Sequence, residues 1–269
     1  MNPLDMEISN LTLFSLLLSE DILRYVIVAG GIYLAINIAL AVRMAGRKIR
    51  GKNPPKGQIL REILASIRTM IIFATVGFAT LYGTKIGLFR LYFEAGEYGA
   101  LYLVLSTLLI IVLHDAYFYW SHRLLHIRRV FKLAHRVHHR SNNPTPFTSF
   151  SFNFGEAVAN AVFLPLVLLV LPLHPLAIFM FTNHMMIRNA MGHSGYELFP
   201  ARRDGTPMFD WMTTVTHHDI HHARAGWNFG LYFTWWDRWM GTEYPKYHQQ
   251  FAEVVQAKQK PTAAPVSSA

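Results

Sequence analysis

Histidine is where this sequence offers chemistry: there are 14 among 269 residues, and no cysteine. They crowd between His114 and His222, and three groups stand out there. These are His122-Arg-Leu-Leu-His126, His135-Arg-Val-His138-His139 and His218-Asp-Ile-His221-His222. On a helix, residues three and four apart share a face, so each group is expected to present two or three imidazoles in one direction. Neutral imidazole is a common ligand of first-row transition metals, and eight such side chains suffice for two ions with room for water, dioxygen or substrate. A lone histidine near a membrane surface is usually just polar or half-buried. Repetition decides otherwise here, because two His-x-x-His-His groups plus a His-x-x-x-His arise by chance in fewer than about one such chain in a thousand. Massed without a metal, these side chains would also repel one another on protonation.

The absence of cysteine excludes disulfides, thiolate metal sites and a nucleophilic thiol. Apolar residues make up 52% of the chain and the formal charge is +9. The basic residues flank long apolar runs, so membrane topology accounts for them and phospholipid headgroups, rather than nucleic acid, are the expected acidic neighbours. The amino terminus is acidic (Asp5, Glu7) and its first apolar run lacks a basic leader, so no cleavable signal peptide is expected.

A spanning helix needs roughly 20 apolar residues. Ile22–Val42, Ile63–Tyr82 and Gly99–Trp120 meet that length, with Arg24 expected to snorkel from the first turn of the first span. Two shorter apolar segments, Ala157–Leu171 and Leu176–Met186, are separated by Pro172-Leu173-His174-Pro175 and read as a shallow hairpin entering and leaving on one side. The loop between the first two spans carries Arg43, Arg47, Lys48, Arg50, Lys52, Lys56 and Arg61 against the single acid Glu62. By the positive-inside rule that loop is cytoplasmic, and so is the histidine region after the third span. The expected fold is an all-α, multi-pass transmembrane bundle of three spans plus the hairpin, capped by a cytosolic histidine-rich dimetal site. Residues 1–112 would be the anchor, with two spans and most of the third. Residues 113–248 would be the catalytic region with the membrane hairpin at 157–186, and 249–269 a disordered tail. The compact loops point to a bacterial inner membrane.

The blocks His114-Asp115-Ala-Tyr-Phe-Tyr-Trp-Ser-His122-Arg-Leu-Leu-His126, His135-Arg-Val-His138-His139-Arg-Ser-Asn-Asn-Pro-Thr-Pro, His193-Ser-Gly-Tyr-Glu197 and Thr216-His-His218-Asp-Ile-His221-His222 together resemble the membrane fatty acid hydroxylase/sterol desaturase superfamily, nearest to its sterol-desaturase-like members. The likeness runs from Leu113 to Tyr244. It implies a helical membrane anchor and a cytosolic di-iron site that activates dioxygen. On that resemblance the metal ligands are His122, His126, His135, His138, His139, His218, His221 and His222, with His193 as a ninth. Certain fatty acid hydroxylases have another histidine at the position of Asn189, whose amide can still bind a metal or a bridging water. Asn153 likewise stands where many relatives carry histidine.

Asp115 lies two turns before His122, placed to accept the second N–H of a ligating imidazole and raise its basicity. A carboxylate in a span is otherwise expensive. Glu197 and Asp219 are further candidates for that role, and Glu156 a weaker fourth. His114, His174, His184, His217 and His248 fall outside the spacing and are not assigned as ligands. The stripe Trp235, Trp236 and Trp239 reads as an interfacial helix.

The expected activity is hydroxylation or desaturation of a membrane lipid by two iron ions and dioxygen, with zinc as a substitute metal. The chain has no iron–sulfur cysteines and no Gly-x-Gly-x-x-Gly fingerprint, so electrons are expected from a separate ferredoxin, cytochrome or reductase. The alternatives are a zinc hydrolase, which needs only three protein ligands, and a metal-binding protein without oxygen chemistry.

Overall fold

The computed structural model describes residues 8–94 and 96–256. Those residues form helices and loops, and the only extended pairings among them are isolated bridges. Three helical stretches are long and apolar enough to cross a membrane: Asn10–Ala39, Gln58–Lys85 and Gly99–Leu125. Exposed leucines and valines such as Leu101, Val104, Leu105 and Leu108 cover their outer faces. Water would penalise that surface and hydrocarbon does not. The protein is an integral membrane protein.

The first stretch opens as α1 (Asn10–Tyr25), where the Ser9 side chain accepts the Thr12 backbone N–H, and continues through wider turns to Ala39. It begins twelve residues earlier than the apolar run predicts, since the polar residues Glu20, Asp21 and Arg24 lie inside it. Arg24 does not snorkel from a first turn. It pairs with Glu20 and, at 2.8 Å, with Asp21, and these i,i+3 and i,i+4 contacts let the helix carry charge without breaking. α2 (Gln58–Lys85) runs back antiparallel, with Gly77 against Leu17. Gly57 supplies the left-handed turn (φ 77°) that starts it. α3 (Gly99–Leu125) then returns to the histidine end.

The second group of histidines follows on a short helical run, α4 (Arg128–Val130) continued by a wide turn into α5 (Arg136–His139). The hairpin is α6 (Phe154–Ala161) and α7 (Phe163–Leu168) descending and α8 (Pro175–Gly192) ascending. It is not shallow. Its bend reaches the loop joining α2 to α3 at the far end of the bundle. There Arg90 N donates to Leu168 O, Leu173 N to Arg90 O and Tyr92 N to Leu173 O, while the Tyr102 hydroxyl donates to Pro172 O. Hydropathy misjudged this depth because α8 is interrupted by polar residues that face protein. Its 18 residues nevertheless extend about 27 Å.

α9 (Val215–Ala223) carries the third histidine group, followed by α10 (Trp235–Trp239) and α11 (Tyr247–Gln256). Residues 249–256, assigned above to a disordered tail, lie in α11, where Tyr247 and Phe251 pack with Val215 and Ile220. Two apolar residues four apart give that short helix a buried stripe. The rest of the expected tail lies outside the described residues.

Candidate metal centre

Nine histidines converge where α3, α5, α8 and α9 meet, and they sort into two sets. His122, His126, His135, His139 and His221 form one, and His138, His193, His218 and His222 the other, with ligand-capable atoms within 4.8 Å of one another in each. The three sequence groups do not each face one way. Pairs four apart stay together (122/126, 135/139, 218/222), and the residue between, His138 or His221, joins the opposite set. Neighbouring helical residues point about 100° apart. A His-His pair therefore divides between two sites, and each short helix contributes to both.

The inner nitrogens crowd closely. Nε2 of His122 lies 3.1 Å from Nε2 of His135, and Nε2 of His139 lies 3.1 Å from that of His221. In the other set Nε2 of His193 lies 2.9 Å from that of His218 and 3.0 Å from that of His222. The outer nitrogens explain the direction. His122 Nδ1 donates to Phe229 O (2.9 Å), His193 Nδ1 to Asn189 O (2.7 Å) and His221 Nδ1 to Trp227 O (2.7 Å). With its one proton committed outwards, each of these imidazoles turns a bare lone pair inwards at another nitrogen. A separation of about 3 Å is what two adjacent nitrogens of one metal ion show when bonds are ~2.1 Å. Nε2 of His126 is buried with no hydrogen-bond partner. Converging lone pairs without protons fit a pair of metal cations.

Burial keeps these groups neutral. It pushes His139 down to about 3 and His193 down to about 4, and drives His126, His135, His138, His218, His221 and His222 well below the usual range, the neighbouring imidazoles adding to the effect in every case. A histidine whose folded pKa is depressed contributes stability that is lost as pH falls, because the unfolded chain takes up the proton from about pH 6.5 while the folded chain refuses it. The metal-free protein should accordingly unfold more easily from pH 6.5 towards pH 4. Thermal melts of chelator-treated protein at pH 7.5 and 5.0 should differ by well over ~5 °C. Equal melting temperatures would contradict the neutral, buried state.

The acids predicted to back the ligands are placed differently. Asp115 touches none of the nine converging imidazoles. Its Oδ1 accepts the backbone N–H groups of Tyr232 (2.8 Å) and Phe233 (3.3 Å), fastening the loop that carries Phe229. Asp219 pairs with Arg50 (2.9 and 3.1 Å), tying α9 to the basic loop, and burial raises its pKa while Arg50 opposes the rise. Glu197 accepts Thr216 N (2.7 Å) and Phe199 N (2.9 Å), so it caps the first turn of α9; it too is pushed up by burial. Asn189 contributes through its backbone carbonyl, while its side-chain Nδ2 donates to Ser149 O (2.8 Å). Among the described residues, the acid paired with one of the nine imidazoles is Glu156, whose Oε1 is 2.9 Å from Nδ1 of His135, off the axis of a hydrogen bond.

Three supports escaped the sequence reading. Asp237, fully buried within the tryptophan stripe, accepts Phe229 N, Gly230 N (both 2.8 Å) and the Thr242 hydroxyl (2.7 Å); burial lifts it to about 6 against those bonds. Glu62 accepts Gln58, Ser141, Thr145 and Thr148, clamping α2 to the segment after the second histidine group. Its signal was its being the one acid in a basic loop. Asn153 accepts Val137 N (2.7 Å) and donates to Leu133 O (3.1 Å), holding the run that bears His135 and His138.

Known proteins supply a frame for this geometry. The chain is 29% identical to human lathosterol oxidase over 185 residues, 68% of this chain and 60% of that protein. It is 29% identical to a Delta(7)-sterol 5(6)-desaturase of Gibberella zeae over 188 residues, 70% of this chain and 56% of that one. It is 33% identical to mouse cholesterol 25-hydroxylase over 141 residues, 52% and 47% of the two chains. The chain thus spans about half to three fifths of the length of these relatives. No solved structure matches. Residues 107–242 match the profile of the family described as fatty acid hydroxylase, a stretch that takes in all nine converging histidines, and the chain belongs to that family.

Proposed function

We propose that this chain is a membrane oxygenase that holds two iron ions and hydroxylates or desaturates a lipid, using dioxygen and electrons from a separate donor. The observation that carries this reading is the pair of buried histidine sets, whose proton-free nitrogens converge at one end of a lipid-facing bundle. The sterol desaturase, sterol oxidase and sterol hydroxylase names of the relatives point the same way for the substrate. Nine donors exceed what a zinc hydrolase needs.

His122, His126, His135, His139 and His221 would hold one iron, and His138, His193, His218 and His222 the other. Bound there, two irons would supply the dioxygen chemistry needed to oxidise an unactivated C–H bond. The chain's own part is preparation. The carbonyls of Phe229, Asn189 and Trp227 fix three ring orientations and keep the inner nitrogens bare. Glu197 and Asp237 hold the backbone that carries those rings and carbonyls. Phe152, whose ring centroid lies 5.4 Å from that of His138, and Phe229, 5.2 Å from His126, keep the centre dry.

In this reading residues 113–248 are the catalytic region, the spans before it are the anchor, and the centre faces the cytoplasm. Exposed Arg123, Arg128, Arg129, Lys132, Arg136 and Arg140 surround it. A recess of about 680 Å³ lined by His126, Arg128, Phe131, Lys132 and Arg136 opens there, and an acidic electron carrier fits it by charge. Changing Arg123, Arg128 and Arg129 together to Glu should slow reduction by a ferredoxin or cytochrome more than ~10-fold with iron content unchanged. Unaltered reduction kinetics would remove this face as the docking site.

The activity itself is tested by lipid mass spectrometry of cells expressing the wild-type chain or His138→Ala. The wild type should add one oxygen to a lipid, or remove two hydrogens from it, and the variant should do neither. Identical lipid profiles would overturn the reading.

A further inference from the structure

A second feature lies outside the two histidine sets. A recess of about 330 Å³ opens between the start of α2 and the end of α5, and three arginines line it: Arg61 and Arg68 from α2, and Arg140 just after α5. All three are exposed. Arg68 donates to Phe152 O through one nitrogen, and none of the three forms an ion pair among the described residues. The one acid lining the recess is Glu62. It is buried and already accepts from Gln58, Ser141, Thr145 and Thr148, which fills a carboxylate's four acceptor positions. Three like charges thus gather from two elements, and their mutual repulsion goes unanswered until an anion sits between them.

Position decides the class of anion. Residues three and four apart share a helix face, and Arg61, Leu64, Arg68 and Ile71 follow that spacing along α2. The face is basic in its first three turns and apolar beyond, with Leu64 and Ile71 both exposed. Arg68 lies about 15 Å along the helix from Gln58, inside the stretch long and apolar enough to cross a membrane. A cation at that depth is costly unless it is paired. A dissolved anion would have to shed its water to reach it, and a protein carboxylate would have to follow it below the membrane surface. The phosphate of a phospholipid already sits at that level, and its acyl chains can continue along Leu64 and Ile71. Guanidinium groups match phosphate oxygens in shape as well as charge, and basic recesses between membrane helices are suited to such headgroups.

We propose that this recess holds the phosphate of an anionic glycerophospholipid, gripped by Arg61 and Arg68 of α2 and by Arg140 beside α5. By neutralising cations on both elements, the lipid ties α2 to the segment that bears His135, His138 and His139. Val137, which stands between two of those histidines, lines the same recess. The site requires only the membrane-embedded bundle and is independent of the oxygenase reading.

Native mass spectrometry tests this on purified full-length protein in detergent, titrated with dioleoyl phosphatidylglycerol and, separately, with dioleoyl phosphatidylcholine. Wild-type protein should bind phosphatidylglycerol at least about five-fold more tightly, the effect of one well-placed arginine near an anionic headgroup. Changing Arg61 and Arg140 together to Gln should cut that preference to about two-fold or less, with Arg68 and its bond to Phe152 O left in place. Changing Arg43 and Arg203 together to Gln removes the same net charge from exposed positions outside the recess, and should leave the preference as it was. Equal affinity of the wild type for the two lipids overturns the proposal without recourse to any variant. An equal fall in both double variants overturns it too, since net charge alone would then attract the lipid. Displacement of bound phosphatidylglycerol by an excess of inorganic phosphate or of polyglutamate overturns it as well, because the site would then serve a soluble anion.

Discussion

If the centre holds two irons as proposed, His193→Ala should leave one per chain and should lower turnover by at least ~100-fold. His193 is the hub of its set: its Nε2 lies 2.9 Å from that of His218 and 3.0 Å from that of His222, and its other nitrogen is already tied to Asn189 O. Removing it takes away the best-oriented donor and opens space between the remaining three rings. The five histidines of the other set lose no member, so the second iron should stay. Asn189→Ala separates side chain from backbone at the same place. The carbonyl that orients His193 survives that change and only the bond from Nδ2 to Ser149 O is lost, so iron should be retained with about 1 kcal/mol less stability. Iron per chain by elemental analysis, with turnover on the same samples, checks both. Two irons in His193→Ala would refute the assignment of that set.

Asp237→Ala should be the most damaging change outside the histidines. Its carboxylate satisfies two backbone N–H groups and one hydroxyl in a place fully closed to solvent. Each buried backbone donor left unmet costs roughly 1–3 kcal/mol and the hydroxyl can turn to another acceptor, so the two N–H groups set an expected loss of about 2–6 kcal/mol for the metal-free fold. The site fails with it, because Phe229, held by Asp237 through its N–H, presents the carbonyl that orients His122. Iron affinity should fall about 10–100-fold, as it does when an outer support of a metal ligand is removed. Asp237→Asn should recover only part, since its amide N–H would face a backbone N–H. Gly230→Ala should mimic the damage from the other side, for a Cβ there would lie 2.6 Å from Phe233 O and 2.9 Å from Asp237 Oδ2. Thermal unfolding in nanodiscs and iron retention measure the effect. A change within ~0.5 kcal/mol of wild type would show that Asp237 holds nothing together.

Side-chain type and spacing made eight of the nine converging histidines legible, because imidazole suits a transition metal and helical repetition brings such side chains together, while His193 came only from the family resemblance. Which set each joins was not legible from the faces alone. His138 and His139, or His221 and His222, part company through the 100° step between neighbours, a consequence of how two short helices meet. The supports were harder still. Three of the converging rings are oriented by backbone carbonyls, which every residue possesses and no motif marks. Asp115 has the right register on α3 to meet His122, yet a loop more than a hundred residues away intervenes and takes both the carboxylate and the ring. The spans followed from hydropathy, apart from the start of the first, where Arg24 and its two acids conceal membrane helix inside a polar stretch. The hairpin's depth was hidden likewise, because α8 spends polar residues such as Arg188 and Asn189 on protein partners.

The most direct test of the central claim is Mössbauer spectroscopy of the wild-type protein loaded anaerobically with ⁵⁷Fe and then exposed to oxygen with a lipid extract. Two ferrous ions per chain in nitrogen-rich surroundings are expected, both oxidised together on exposure. A single iron per chain, or two that stay ferrous in oxygen, would contradict it.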